Sequence, residues 1–174
     1  MSTGSQDVRV AANLVLGASG QTTLDGRSAG LSSRFDRARF HEIRKQADVI
    51  VIGGATARTE PYGSTPVRLI VLSRSGDIPA KVRENPLAEV WSLSPLEAIS
   101  RLIDEGATSI LIEGGANFIR ECSQHGLLNA LHLTQSNTDL GENPLEVSEI
   151  TRGMELINAD DSEGESYFFY ATAR

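Results

Sequence analysis

Two stretches of this chain carry an apolar, β-branched run straight into a glycine pair and then into helix-forming residues. The first is Val49-Ile50-Val51-Ile52-Gly53-Gly54-Ala55-Thr56, and the second is Ile110-Leu111-Ile112-Glu113-Gly114-Gly115-Ala116-Asn117. Strands apolar at nearly every position are covered on both faces, which calls for a parallel sheet between layers of helix. Each glycine pair lets backbone N–H groups approach a ligand with no Cβ in the way, at the positive end of a helix dipole. Two such junctions in one small chain point to a ligand with several anionic groups, and a phosphorylated cofactor is the natural candidate.

The rest of the chain supplies the other elements of such a sheet. At 174 residues it is long enough for one domain with a real core. Residues 1–7 are small and polar and are expected to be disordered, leaving 8–174 as a single domain. Val8–Leu16 reads as a strand, and glycine-rich Gly17–Ser33 as a loop or short hairpin. Ser33 with Asp36 marks a helix start, and the helix runs to about Gln46. On it Phe40, Ile43 and Ala47 share one face, Arg34, Arg37, His41 and Lys45 lie opposite, and Arg44 sits at the border.

Strands are expected at Asp48–Ile52, Val67–Leu72, Val90–Leu93, Ser109–Ile112, Ala130–Gln135 and Ser166–Thr172. Ser94-Pro95-Leu96-Glu97 opens a helix that ends at Gly106, and Ala116–Gln124 forms another that stops near Gly126. The acidic stretch from Asp160 to Glu165 reads as an exposed hairpin loop. This alternation predicts an α/β layered fold, mostly parallel, with an antiparallel edge at the C-terminus.

Charge and cysteine use narrow the function classes. A net charge of −7 disfavours general nucleic-acid binding, which rests on cationic surface, but not a small phosphorylated ligand. Cys122 is the one cysteine, so an intrachain disulfide is impossible and a reducing, cytoplasmic setting is expected. No apolar run approaches the ~20 residues that span a bilayer, and residues 1–7 lack the pattern of a signal peptide. His41, His125 and His132 have no metal-ligand spacing, so no metal site is expected.

Several positions are candidates for chemistry. In Gly53-Gly54-Ala55-Thr56-Ala57-Arg58, Thr56 offers a hydroxyl and Arg58 a cation, although the motif is neither a dinucleotide fingerprint nor a P-loop. Residue types alone leave open whether it binds a nucleotide or merely packs closely. Glu113 closes a parallel strand, where such sheets bind ligands, or else caps local N–H groups. Ser73-Arg74-Ser75 at a strand end could hold a terminal phosphate or form a solvated turn. A boundary residue such as Arg44 can reach into a cleft. Cys122, in a helix with no partner histidine, reads as a buried apolar group.

With these residues in view, the chain resembles the pyrimidine reductases of riboflavin biosynthesis, which have the dihydrofolate-reductase-like three-layer fold. The resemblance rests on Asp25–Ser33, on Ile43–Asp48 running into Gly53–Glu60, on Val71–Arg74, and on Ile110–Asn117 continuing to Leu131–Thr134. It implies an NADPH-dependent reductase of a phosphoribosylamino-pyrimidine, with hydride passing to the C1′ of a ring-opened sugar imine. Gly54, Thr56, Ser73, Arg74, Gly114, Gly115, Ala116 and Asn117 would contact NADPH. Asn13 (at the end of the first strand), Ser28 and Arg44 would hold the substrate, with Arg44 on its phosphate. Glu113 would orient the substrate, and Glu60 would order the cofactor or relay a proton. A homodimer is implied as well.

Three features depart from that family's pattern. Ser19 stands where an aspartate is usual, Gly30 replaces an aromatic residue, and the stretch between Pro79 and Ser94 is short, as if a strand and its turn were missing. A reductase of a pterin- or folate-like molecule on the same fold, or a non-catalytic NADP-binding module, are the alternatives these departures leave open.

Overall fold

A computed structural model describes residues 7–173, so the stretch expected to be disordered lies outside it except for Asp7. In chain order the elements are β1 (Arg9–Leu16), β2 (Gln21–Thr23), a 3-10 turn at Ser28–Gly30, α1 (Arg34–Lys45), β3 (Val49–Gly53), α2 (Gly54–Thr59) and β4 (Arg68–Leu72). There follow α3 (Ala80–Arg83), β5 (Ala88–Trp91), α4 (Pro95–Asp104), β6 (Ser109–Glu113), α5 (Ala116–Gln124) and β7 (Ala130–Gln135). The C-terminal part holds β8 (Glu142–Pro144), α6 (Val147–Ile150), β9 (Met154–Ser162) and β10 (Glu165–Thr172).

The main sheet has the order β5-β4-β3-β6-β1-β7-β10-β9. Its strands from β5 to β7 are parallel, and β10 and β9 add an antiparallel edge. Because side chains alternate across a strand, the sheet has two covered faces. On one, Ile110, Ile112, Leu131 and Leu133 pack with Leu102 of α4, Ile119 and Cys122 of α5, and Ile150 of α6. On the other, Ile50, Ile52, Leu69 and Leu111 pack with Ala47 beyond α1, Ala57 of α2 and Val82 of α3. The result is the expected three-layer dihydrofolate-reductase-like architecture.

Local chemistry explains several boundaries. Ser33 Oγ accepts the N–H groups of Phe35 and Asp36 at 3.0 Å each, starting α1 where expected. Ser94 and Glu97 form a reciprocal capping box with Pro95 behind it, and α4 stops before Gly106 in the left-handed region.

One expectation is corrected. The acidic stretch is not a loop: Asp160 and Asp161 belong to β9, and the turn is only Glu163-Gly164, both at positive φ as a tight hairpin requires. The outermost strand is therefore β9, and β10 lies between it and β7. Between Pro79 and Ser94 the chain forms α3 and then β5, the expected short strand, which starts two residues before Val90. Within Gly17–Ser33 a short hairpin does form, at Leu24–Arg27 with Asp25 and Gly26 at positive φ, while Gln21–Thr23 pairs with β8, more than a hundred residues away.

Candidate functional site

The chain leaves β3 toward β4 on one side and leaves β6 toward β7 on the other, while β3 and β6 themselves lie side by side. A crevice opens where parallel strands diverge in this way, at their C-terminal ends. A cavity of about 430 Å³ occupies that place, bounded by β1, the loop before α1, α1 itself, α2 and the end of β6. This volume suits a small molecule.

Both glycine junctions reach this crevice, and Thr56 ties them together. Its Oγ1 accepts the Gly115 N–H at 3.1 Å. Gly114 has φ +149°, and a Cβ there would stand 3.0 Å from the same oxygen, so the close approach depends on glycine. Gly115 is the N-cap of α5 with open space around it and no side-chain cap. The first-turn N–H groups of Ala116 and Asn117 therefore have neither an intrahelical nor a capping acceptor.

Other expected cofactor residues lie farther out. A Cβ on Gly54 would come within 3.1 Å of Ser73 Oγ, so the end of β4 abuts the first junction. Thr56, Gly114 and Gly115 line the cavity, whereas Gly54, Ser73, Arg74, Ala116 and Asn117 do not. Asn117 is exposed, and its Oδ1 accepts from Arg120 at 2.8 Å.

Glu113 and Arg44 form a buried bidentate pair. Nε donates to Oε1 at 2.8 Å and Nη2 to Oε2 at 2.6 Å, while the Tyr62 hydroxyl donates to Oε2 at 2.7 Å. The guanidinium lies 4.0 Å above the Phe40 ring and 5.1 Å from that of Tyr62. Burial works against the Arg44 charge, but its hydrogen bonds to Glu113 and that residue's charge prevail and hold its pKa above the ordinary value. Desolvation, and then the Glu113 charge, push the Tyr62 phenol well above its usual range, so it stays a donor. Nη1 of Arg44 makes no hydrogen bond among the described residues. Helical periodicity placed Arg44 at the border of α1, but nothing local announced Tyr62, which enters from the loop after α2.

Glu60 Oε1 accepts both the N–H and the hydroxyl of Ser28, at 2.8 and 3.0 Å, which draws those two expected residues together on the cavity wall. Asn13 lies three residues before the end of β1, not at its end, in register with Glu113 on one side and His132 on the other. His132 Nδ1 meets the Tyr167 hydroxyl at 2.6 Å, and burial followed by the charges of Arg9 and Arg39 lowers its pKa to about 4. Arg39 lies 4.2 Å over the Tyr167 ring.

Asp36 lines the cavity from the first turn of α1 and is 6% exposed, and its Oδ2 accepts the Ser32 hydroxyl. The sequence marked it only as a helix-start residue. Ser19 is exposed, its N–H donates to Gln21 Oε1 at 3.0 Å, and it does not line the cavity. Gly30 packs so closely on Leu24 that an added Cβ would stand 2.9 Å away, which leaves no room for an aromatic side chain.

This architecture recurs in proteins of known structure. A pyrimidine reductase-like protein of Corynebacterium diphtheriae superposes with a TM-score of 0.77, covering 97% of this chain and 93% of its own at 23% identity. The riboflavin biosynthesis reductase Rib7 of Saccharomyces cerevisiae does so with a TM-score of 0.72, covering 99% and 93% at 15% identity. At such identities the likeness is one of fold. In sequence, the chain is 26% identical over 134 residues to the riboflavin biosynthesis protein RibD of Corynebacterium ammoniagenes, spanning 68% of this chain and 39% of that protein. It is 33% identical over 82 residues to the chloroplastic riboflavin biosynthesis protein PYRR of Arabidopsis thaliana, spanning 42% of this chain and 12% of the relative. The match thus takes in well under half the length of either relative. The RibD C-terminal domain model matches residues 11–152, a span running from β1 past α6 that includes both glycine junctions and the Arg44–Glu113 pair, and the chain belongs to that family.

Proposed function

We propose that the chain is an NADPH-dependent reductase of a phosphoribosylamino-pyrimidine. The observation that carries this reading is the uncapped N-terminus of α5, opening from Gly114-Gly115 beside a cavity at the divergence of β3 and β6. Orphan N–H groups on a helix of nine residues suit the pyrophosphate of a dinucleotide. Thr56 would hold the loop at Gly115, Gly54 would allow the backbone to approach, and Ser73 with Arg74 would receive the adenosine phosphate. Bound there, NADPH supplies the hydride that reduces the sugar imine at C1′.

The protein's own residues would then bind and orient. Arg44 keeps Nη1 for the substrate phosphate, and Glu113, with both oxygens already accepting, acts by holding that guanidinium in place. Ser28 and Glu60 form one hydrogen-bonded wall, and Glu60 Oε2 is available to order the cofactor or pass a proton. Asn13 faces the pyrimidine from β1. The outermost strand β9, with Leu156 51% and Ile157 58% exposed, supports a homodimer joined across that edge. A buried Cys122, its thiol pushed up to about 12 chiefly by desolvation, suits a reducing, cytoplasmic setting.

Purified protein with NADPH and the phosphoribosylamino-pyrimidine should deplete NADPH absorbance and yield the ribitylamino product. Tight NADPH binding with no oxidation by any pyrimidine would sink the enzymatic reading in favour of a binding module. Equal affinity for NADPH and NADH would remove the phosphate role of Ser73 and Arg74.

A further inference from the structure

Three carboxylates line the cavity, and the structure leaves them in different states of satisfaction. Glu113 accepts three hydrogen bonds from Arg44 and Tyr62, and Glu60 accepts two from Ser28. Asp36 is nearly as buried as Glu113, yet it accepts only the Ser32 hydroxyl on Oδ2. Its Oδ1 has no donor, and no cation pairs with it among the described residues. A carboxylate can accept about four hydrogen bonds, and Oδ1, the part of this otherwise buried side chain open to the cavity, keeps its acceptor capacity for a ligand. Phe40, one helical turn along α1, adds an aromatic wall to the same cavity. A free acceptor facing the cavity beside an aromatic surface fits a planar ring that presents N–H donors at its edge.

We propose that Asp36 is the residue that reads the heterocycle. Its Oδ1 accepts a ring N–H of an amino-pyrimidine while Ser32 holds Oδ2 and fixes the carboxylate plane. Asp36 thereby touches the substrate and determines specificity for rings with an N–H at that edge, and Ser32 is a positioning residue. The assignment rests on the pyrimidine reading above and names the group that recognises the ring rather than the phosphate.

The test compares ligands on one preparation of protein, so that a smaller folded fraction affects every ligand alike. The phosphoribosylamino-pyrimidine and two analogues, each with one ring N–H replaced by C–H, are titrated calorimetrically into the wild type, Asp36→Leu and Asp36→Asn. Wild type should bind the parent about tenfold or more tightly than one of the analogues, the scale expected of a hydrogen bond to a charged group. Asp36→Leu should bring that ratio close to one, and Asp36→Asn, which keeps size and lowers folding risk, should reduce it. A ratio unchanged in both variants, or no discrimination by the wild type, overturns the role of Asp36 while leaving the pyrimidine reading intact. A wild type that binds neither parent nor analogue overturns the pyrimidine reading and this assignment with it.

Discussion

Arg44 and Glu113 show how one residue's role depends on its partner. Both side chains are almost fully buried, 10% and 3% exposed, so neither charge is solvated without the other. Removing one member of such a pair typically costs about 3–5 kcal/mol, because the survivor is left buried and unpaired. Urea unfolding of Glu113→Gln should show a loss on that scale, and a double variant, Arg44→Met with Glu113→Leu, should recover most of it. If Glu113→Gln costs no more than Lys45→Ala, which breaks only the exposed Lys45–Glu42 pair, the pair is not what holds this wall together. His132 makes a second prediction at this scale. Its pKa is about 4 in the native state, against about 6.5 when unfolded. Between those values the unfolded chain binds a proton that the native one refuses. The histidine's contribution is therefore complete above pH ~6.5 and is lost as pH falls toward ~4. Its size is on the order of 3 kcal/mol. His132→Gln should flatten the pH dependence of stability in that window, and an unchanged slope would contradict a half-buried, neutral imidazole.

Among the elements, α5 and α4 separate function from stability. Helix α5 begins at a glycine without a side-chain cap, whereas α4 begins with a full capping box. Thr56→Val removes the acceptor that holds the Gly115 N–H and should weaken nicotinamide nucleotide binding several-fold. Ser94→Ala should cost about 1 kcal/mol of stability and leave that binding unchanged, since no residue of α4 lines the cavity. Equal effects on binding would mean that Thr56 acts only through overall stability. Much of this scale was legible beforehand. Ser94-Pro95 with Glu97, the uninterrupted apolar runs of β3 and β6, and the glycine after α5 each carry their signal within a few residues. Strand β9 was not legible, because an edge strand exposed over almost its whole length shows no alternation of apolar and polar residues to read.

At the largest scale, strand order decides where the site lies and leaves β5 and β9 as the two edge strands. The divergence of connections between β3 and β6 puts the cavity beside both glycine junctions, and β9 ends the sheet with an unpaired edge. If that edge joins two copies, Ile157→Lys should convert a dimer to a monomer in sedimentation experiments while leaving the folded protomer intact. A wild-type monomer at all concentrations would remove the homodimer from the proposal. The strands that are apolar throughout, the helix starts and stops and the two glycine turns follow from amino-acid order alone, because those signals arise from neighbouring residues and backbone conformation. It takes the packed fold to bring Arg44 to Glu113 across 69 positions, to add Tyr62 to the pair, and to set Asp36 on the cavity wall with an acceptor to spare. Periodicity says which face of an element a side chain occupies, but the partner it finds there depends on register and layer packing among distant parts of the chain.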